Sequence, residues 1–253
     1  MDKSGSKETN EAYHHPAASR GATIGGCGPA AWHGAFTPID FEVADTIIVF
    51  GQIPATRLPH MLRVLRKASL RGAVFVSVNL LHGRSPARFT SLQRAVEKIR
   101  FGNSRIAPMF IKTKLGGDFA LIKGVAKRLI ELDDEALANG AERVIDIDFI
   151  KRHTLGFSDF TEDLREENWP LLEAKSGVAR EDIEGLARIY ANAGRVVATW
   201  GMDIAQHKRC AQTVHLLNSL LMMRGNTCRE GAGSSKACFI GSRLPYSGCM
   251  SDS

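Results

Sequence analysis

The chain has 253 residues, of which 44% are hydrophobic and 24% are charged, with a net charge of +6 at neutral pH. This length and composition are enough to bury the core of one large or two small domains. The sequence has no run of about 18 apolar residues, which a membrane-spanning helix would need. Residues 1–35 lack the apolar segment of a secretory signal. We therefore expect a cytoplasmic protein without a membrane partner.

The positive charge indicates an affinity for anions. Lysine and arginine concentrate beside glycine-containing turns, in segments 57–71, 84–105, 112–128 and 208–229. A solvated basic surface explains this distribution as well as a lining for a pyrophosphate-bearing cofactor does. Nucleic acid is the least favoured partner, because no helix-turn-helix pattern, aromatic RNA-binding motif or zinc-finger spacing occurs.

The cysteines do not predict a metal centre. No two of them form a Cys-x-x-Cys pair, and their spacing matches neither zinc nor iron–sulfur ligand patterns. In a cytosolic chain they are expected to be free thiols. The five are Cys27, Cys210, Cys228, Cys238 and Cys249.

Composition divides the chain into three segments. Residues 1–35 are polar and without periodicity, so they are predicted to be disordered. Residues 36–233 carry the periodic patterns of regular structure. Residues 234–253 have no clear periodicity and are predicted to form an irregular tail.

The first regular segment predicts a β-turn-α-β unit. The apolar, β-branched run Thr46–Phe50 predicts a buried parallel strand. Gly51–Thr56 forms a turn, residues 59–70 an amphipathic helix, and residues 73–78 a second buried strand. A right-handed crossover would fold this unit into half of a nucleotide-binding sheet.

The later segments predict alternating strands and helices. Gly116 and Gly117 open a helix with an apolar stripe, and residues 133–145 form an acidic connection. The predicted fold class is therefore α/β, with a mostly parallel, doubly wound sheet flanked by helices. The remaining predicted elements are a strand at 109–114, helices at 147–153, 158–175 and 180–192, a strand at 195–200, and a helix at 211–223.

Two strand ends carry candidate ligand-binding residues. Ligands of open α/β sheets bind beyond the carboxyl ends of the strands, so the Gly51–Thr56 turn is a candidate phosphate site. Any βα turn has this appearance, however. Asn79 ends the second strand, at a position where nucleotide-binding sheets contact a ribose. An asparagine that ends a strand without any role in ligand binding gives the same sequence pattern. Arg84 or Arg88 could hold a phosphate through a charge-assisted bond.

Two further turns carry polar residues beside glycine. Asp118 follows Gly116 and Gly117, and it can either cap the helix or accept hydrogen bonds from a ligand. The turn Gly201-Met-Asp-Ile-Ala-Gln-His207 follows an apolar strand. Gln206 and His207 in it can hydrogen-bond a ligand, although a loop histidine satisfied by its own surroundings is an equal alternative.

Together these segments resemble the molybdopterin-dependent oxidoreductases, and in particular the formate dehydrogenase-like alpha subunits. The resemblance rests on the turn at Gly51–Thr56, on Lys114-Leu-Gly-Gly-Asp-Phe-Ala-Leu-Ile-Lys-Gly124, on Gly201–His207, and on Arg224-Gly-Asn226. The departures lie in the turns, where Ile53 replaces an amide and Ala55 and Asp203 replace glycines of the family pattern.

The resemblance implies a fold, a cofactor and an activity. The chain would form one cofactor-binding layer of a larger enzyme. Molybdenum on two pterin guanine dinucleotides would exchange two electrons with a small-molecule substrate, and a partner redox subunit would pass the electrons on. Complete family members can carry an iron–sulfur cluster, but no ligands for one are evident in this sequence.

The resemblance also assigns contact roles to individual residues. It implies that Asp118 binds the guanine and Asn79 the ribose. It implies no molybdenum ligand and no catalytic residue in this chain. The remaining contacts are Gly51, Thr56 and Arg88 near phosphates, Gln206 and His207 near the pterin, and Asn226 in the matching Arg-Gly-Asn block.

The resemblance covers residues 36–233, which would be only part of a complete family member. The leading interpretation is therefore a fragment of a molybdopterin guanine dinucleotide-dependent oxidoreductase. The replaced turn residues favour an alternative of a different class. In that alternative the chain is a catalytically inactive remnant, or a module that binds a nucleotide or a partner.

Overall fold

The computed structural model describes residues 38–51, 65, 67–80, 109–201, 204, 209–227 and 229–236. The predicted disorder of residues 1–35 and most of the Gly51–Thr56 turn lie outside this range. So do the first part of the helix predicted at 59–70 and all but the beginning of the predicted tail. Among the described residues, no helix has the length and apolar character needed to cross a membrane.

The described elements alternate between strands and helices along the chain. Residue 65 and residues 67–71 are also helical, between the first two strands. The elements are α1 Pro38–Val43, β1 Thr46–Phe50, β2 Val74–Asn79, β3 Met109–Lys112, α2 Asp118–Ala138, α3 Ile147–His153, α4 Phe157–Glu166, α5 Trp169–Ser176, α6 Arg180–Asn192, β4 Val196–Trp200, α7 Cys210–Met222 and β5 Gly233–Lys236.

The five described strands form one parallel sheet in the order β3-β2-β1-β4-β5. This confirms the predicted α/β fold. Strand β1 lies at the centre and is buried along its whole length, which explains its continuous apolar sequence. From β1 the chain moves outward to β2 and β3, then returns to the other side of β1 to form β4 and β5. The direction in which successive strands are added to the sheet therefore reverses between β1 and β4.

The two faces of the sheet have separate apolar cores. Successive side chains of a strand point to opposite faces. Ile48 and Phe50 accordingly pack in a large cluster with α2, α6 and α7. Ile47 and Val49 pack in a smaller cluster with Phe41 of α1 and with the helical residues 65 and 68. Helices thus cover both faces, as in a doubly wound sheet.

Helix α2 is the largest helix described, and it carries two lysines into the interior. The Lys123 Nζ atom lies 2.8 Å from a carboxylate oxygen of Asp163 and 2.5 Å from one of Glu167. Lys127 Nζ donates hydrogen bonds to the carbonyl oxygens of Leu164 and Arg165 at 3.1 and 3.0 Å. Both charges are therefore paired, and they attach α2 to the end of α4.

The prediction of a single helix over residues 158–175 is wrong, because the structure has two helices in this range. Helix α4 ends at Glu166 and α5 begins at Trp169. Pro170 lies in the first turn of α5, where its missing N–H costs nothing. A continuous helix would need that N–H to reach the carbonyl of Glu166, four residues earlier.

The acidic connection predicted for residues 133–145 is only partly correct, because α2 continues to Ala138. The returning chain holds the last turns of the helix through Asp133. One oxygen of this buried carboxylate accepts hydrogen bonds from the backbone N–H groups of Val144 and Ile145 at 2.8 and 3.0 Å. The other accepts a bond of 2.6 Å from Arg143.

The chain beyond Gly233 begins as a strand rather than as an irregular tail. Residues Gly233–Lys236 pair in parallel with β4. The Ser234 hydroxyl donates a hydrogen bond of 2.5 Å to Oδ1 of Asn218 on α7. The sequence Gly-Ser-Ser-Lys has no preference for strands, so pairing with β4 and contact with α7 determine its conformation.

A buried tyrosine joins α6 to α7. The Tyr190 hydroxyl is fully buried, donates a hydrogen bond of 2.8 Å to the Leu220 carbonyl, and lies 3.4 Å from the Asn226 side-chain nitrogen. Burial raises the pKa of this hydroxyl far above its ordinary value, because the charged phenolate would lose its hydration.

Tyr190→Phe should lower the free energy of unfolding by about 1–3 kcal/mol at neutral pH, because it removes a buried hydrogen bond and leaves polar partners unsatisfied. The folded-state pKa is raised, so the stabilisation is complete below the unfolded-state pKa of about 10 and is lost as the pH rises above it. Urea unfolding at pH 8 and pH 11 should show a steeper loss for the wild type than for the variant. Parallel losses would contradict this assignment.

Candidate functional site

The parallel sheet gathers the ends of its strands at one edge. We call this the carboxyl edge and define it by Gly51, Asn79, Thr113 and Gly201, which end or directly follow β1, β2, β3 and β4. Backbone bonds continue past the strand ends. The N–H of Gly51 donates to Val78 at 2.8 Å, that of Gly201 to Phe50 at 3.0 Å, and that of Thr113 to Asn79 at 3.3 Å. The edge is therefore a continuous, fixed surface.

The reversal of strand order falls between Gly51 and Gly201. In open α/β sheets a crevice forms at such a position, because the connections on its two sides leave in opposite directions. Gly51 has φ +60°, a conformation that favours glycine. Its own N–H is bonded to β2, so a phosphate bound beside Gly51 would need other N–H groups.

Asn79 and Asp118, two of the predicted contact residues, both lie at or beside the carboxyl edge and are buried. Asn79 ends β2, beside β1. Asp118 is the first residue of α2 and is 6% exposed. The position of the helix cap belongs to Gly117 and not to Asp118. The positive end of the helix dipole favours a negative charge on the Asp118 carboxylate.

A neighbouring hydroxyl contacts the Asp118 carboxylate. Thr113 Oγ1 donates a hydrogen bond of 3.2 Å to Asp118 Oδ1, and Thr113 is 3% exposed. The sequence interpretation did not include Thr113. A polar residue directly after a strand was the signal that could have found it.

The turn that carries Asp118 is fixed to the end of helix α5. The N–H of Lys114 donates to the carbonyl of Ser176 at 2.8 Å, and its Nζ donates to the carbonyl of Ala174 at 3.2 Å. A Cβ atom on Gly117 would lie 2.6 Å from the Ser176 carbonyl oxygen. No local signal in the sequence indicates this contact, because its two sides are about sixty residues apart.

Asn226 does not lie at the carboxyl edge. Its Oδ1 accepts hydrogen bonds from the N–H of Val196 at 3.3 Å and from Arg229 at 2.7 Å. Its Nδ2 contacts the Tyr190 hydroxyl. Val196 begins β4, so Asn226 is at the amino end of that strand, about 16 Å from Gly201 at the carboxyl edge at 3.3 Å per residue. The structure therefore does not bring Asn226 together with the other described candidates.

Arg224 has an anchoring position near Asn226. Its guanidinium donates hydrogen bonds to the carbonyl oxygens of Val144 at 2.6 Å and Ala193 at 3.1 Å. The Arg-Gly-Asn block thus joins the connection before α3 to the end of α6 and the start of β4.

The other predicted contact residues, Thr56, Arg88, Gln206 and His207, lie outside the described part of the chain. Within the described residues, no three histidine, cysteine or acidic side chains are grouped as metal ligands. One further group belongs near the carboxyl edge. Thr199 Oγ1, one residue before the end of β4, is buried and has no hydrogen-bond partner among the described residues. Such groups are rare in proteins.

Several relatives match most of this chain, and two of them come from Escherichia coli, whereas no family model matches it. Protein YdeP of Escherichia coli is 39% identical over 194 residues, which are 77% of this chain and 26% of YdeP. Formate dehydrogenase H of Escherichia coli is 26% identical over 215 residues, which are 84% of this chain and 26% of that enzyme. The chain therefore spans about a quarter of the length of these relatives.

The fold has a counterpart among solved structures. Acetylene hydratase from Pelobacter acetylenicus superposes with a TM-score of 0.60 at 16% identity, covering 80% of this chain and 24% of that enzyme. The chain belongs to the molybdopterin-dependent oxidoreductases.

Gly117→Ala should destabilise the protein by about 3 kcal/mol, because the added methyl group overlaps the Ser176 carbonyl. The backbone of Gly117, with φ −77°, is accessible to any residue, so conformational strain does not contribute. Gly140→Ala is the control, since Gly140 has φ +65° but open space around it, and its strain should cost about 1 kcal/mol. Equal losses in urea unfolding would mean that the turn moves away from α5 freely.

Proposed function

We propose that this chain forms the part of an oxidoreductase that binds the guanosine end of a molybdopterin guanine dinucleotide. The observation that carries the proposal is the buried Asp118 carboxylate beside the carboxyl edge. The reversal of strand order between β1 and β4 supports it, because this is where α/β sheets bind nucleotides.

The chemistry of a carboxylate suits guanine. Guanine presents two adjacent donors, the N1–H and the exocyclic amine, and one carboxylate can accept from both through charge-assisted bonds. Adenine presents an acceptor at N1 and cannot make the same pair. Burial of Asp118 strengthens such bonds, because less water competes for the donors.

The other contacts of the proposal follow the order of the strands. Asn79, at the end of β2, is the proposed ribose contact. Gly51, Thr56 and Arg88 are the proposed phosphate contacts. The unpartnered hydroxyl of Thr199 is a further polar group that a bound ligand could satisfy. Gln206 and His207 are proposed to contact the pterin. Asn226 lies at the opposite end of β4, and we do not include it among the proposed contacts.

The cofactor, when bound, supplies the two-electron chemistry, while the protein supplies binding and orientation. The described residues among these contacts would act at the nucleotide end of the cofactor, and none of the proposed contacts is assigned to the reacting atoms. We therefore propose that the reaction on a small-molecule substrate, and the transfer of electrons to a partner redox subunit, depend on parts of the enzyme beyond the described residues.

The cofactor assignment can be tested by measuring the molybdenum and pterin content of the purified chain. The chain, purified from a host that makes the guanine dinucleotide cofactor, should contain molybdenum and a pterin that fluoresces after oxidation. Asp118→Asn should lower both contents together, because it weakens the guanine contact. A well-folded chain free of metal and pterin would contradict the assignment and favour an inactive remnant or a nucleotide-binding module.

The guanine contact can be tested without the complete cofactor. The full chain should bind GDP more tightly than ADP in isothermal titration calorimetry. Asp118→Asn should weaken GDP binding by about tenfold or more, because a hydrogen bond to a charged group is lost, and should leave ADP binding unchanged.

Asp146→Asn is the matched control for that experiment. Asp146 is also a carboxylate at a helix N-terminus, where it accepts a hydrogen bond of 2.9 Å from the N–H of Phe149, and asparagine caps helices equally well. This variant should retain the preference for GDP. Equal binding of the two nucleotides by the wild-type chain would contradict the proposed role of Asp118.

A further inference from the structure

Thr113 connects two of the proposed nucleotide contacts. Its N–H donates a hydrogen bond of 3.3 Å to the backbone carbonyl of Asn79. Its hydroxyl donates a bond of 3.2 Å to the carboxylate of Asp118. Both Thr113 and Asp118 are buried. One residue thus links the end of β2, where the ribose contact is proposed, to the residue proposed to bind the guanine.

We propose that Thr113 is a positioning residue that holds the Asp118 carboxylate in the orientation needed to select guanine over adenine. This inference rests on the proposed function, since it concerns the same nucleotide site. Thr113 itself would not touch the base.

The backbone around Asp118 is already fixed on both sides. The turn before it is bonded to Ser176 through Lys114 and packs closely against the same residue at Gly117. The chain after it belongs to a helix of 21 residues. These contacts fix the backbone of Asp118 but do not themselves set the rotation of its side chain.

The hydroxyl of Thr113 restricts that rotation. A carboxylate selects guanine only when both of its acceptor directions face the two donors of the base, so its plane must be set before binding. Donation from Thr113 to Oδ1 sets this plane through a bond to a charged acceptor, which is stronger than a bond between neutral groups. An orientation fixed before binding raises affinity because less freedom is lost on binding.

Substitution of Thr113 tests this inference in the full chain. Thr113→Val keeps the shape of the side chain and removes the donor. It should reduce the ratio of GDP to ADP affinity by about tenfold, comparable to the loss of one hydrogen bond to a charged group. ADP affinity should stay the same. Thr113→Ser keeps the donor and should restore most of the preference.

Thr154→Val is the matched control. The Thr154 hydroxyl donates a bond of 2.7 Å to the Ile150 carbonyl at the end of α3, so its removal costs a threonine hydrogen bond, to a neutral acceptor, on another element. This variant should keep the wild-type ratio of affinities. Thr113→Ala, which introduces no new volume, replaces Thr113→Val if that protein does not fold, and the same loss is expected.

The outcomes separate the two proposals. Loss of the preference in Asp118→Asn and in Thr113→Val, with recovery in Thr113→Ser, supports the positioning role. Loss in Asp118→Asn with full retention in a folded Thr113→Val overturns the role of Thr113 and leaves the guanine contact intact. Absence of any preference in the wild-type chain overturns the proposed function, and the role of Thr113 with it.

Discussion

The burial of β1 on all sides is the constraint on which the rest of the structure depends. Its backbone pairs with β2 on one side and with β4 on the other, and its side chains enter both apolar cores. Parallel strands require long connections that return over the faces of the sheet. The carboxyl ends of the strands therefore collect at one edge, and the reversal of strand order lies beside the central strand.

The polar residues of this edge depend on that framework for their geometry. Asp118 is held where α2 begins, because α2 packs against α4, α5, α6 and α7 and its entry turn is bonded to the end of α5. Thr113 adds a contact from the end of β3. The proposed function gives this arrangement a chemical context, in which the protein would orient a cofactor and the cofactor would carry out the redox step.

Elements defined by local pattern were predicted well. The bounds predicted for α3 and α6, 147–153 and 180–192, agree with the structure, because capping residues and apolar periodicity act over a few residues. The errors have distant or overlooked causes. Helix α2 continues past residue 133, where the connection was predicted to begin. Its last turns are held by hydrogen bonds that Asp133 accepts from the N–H groups of Val144 and Ile145. The break between α4 and α5 had a local signal in Pro170, which the amphipathic pattern concealed.

The sequence by itself determined the fold class, the buried strands and the family, because these depend on residue type and on spacing within short segments. It also singled out Gly51, Asn79 and Asp118, which the structure places at or beside one edge. Only the tertiary structure separated Asn226 from them, formed β5 from residues without strand preference, and brought Ser176 against Gly117. These contacts join residues far apart in the chain, and pairing between distant segments is not encoded in the local pattern of either one.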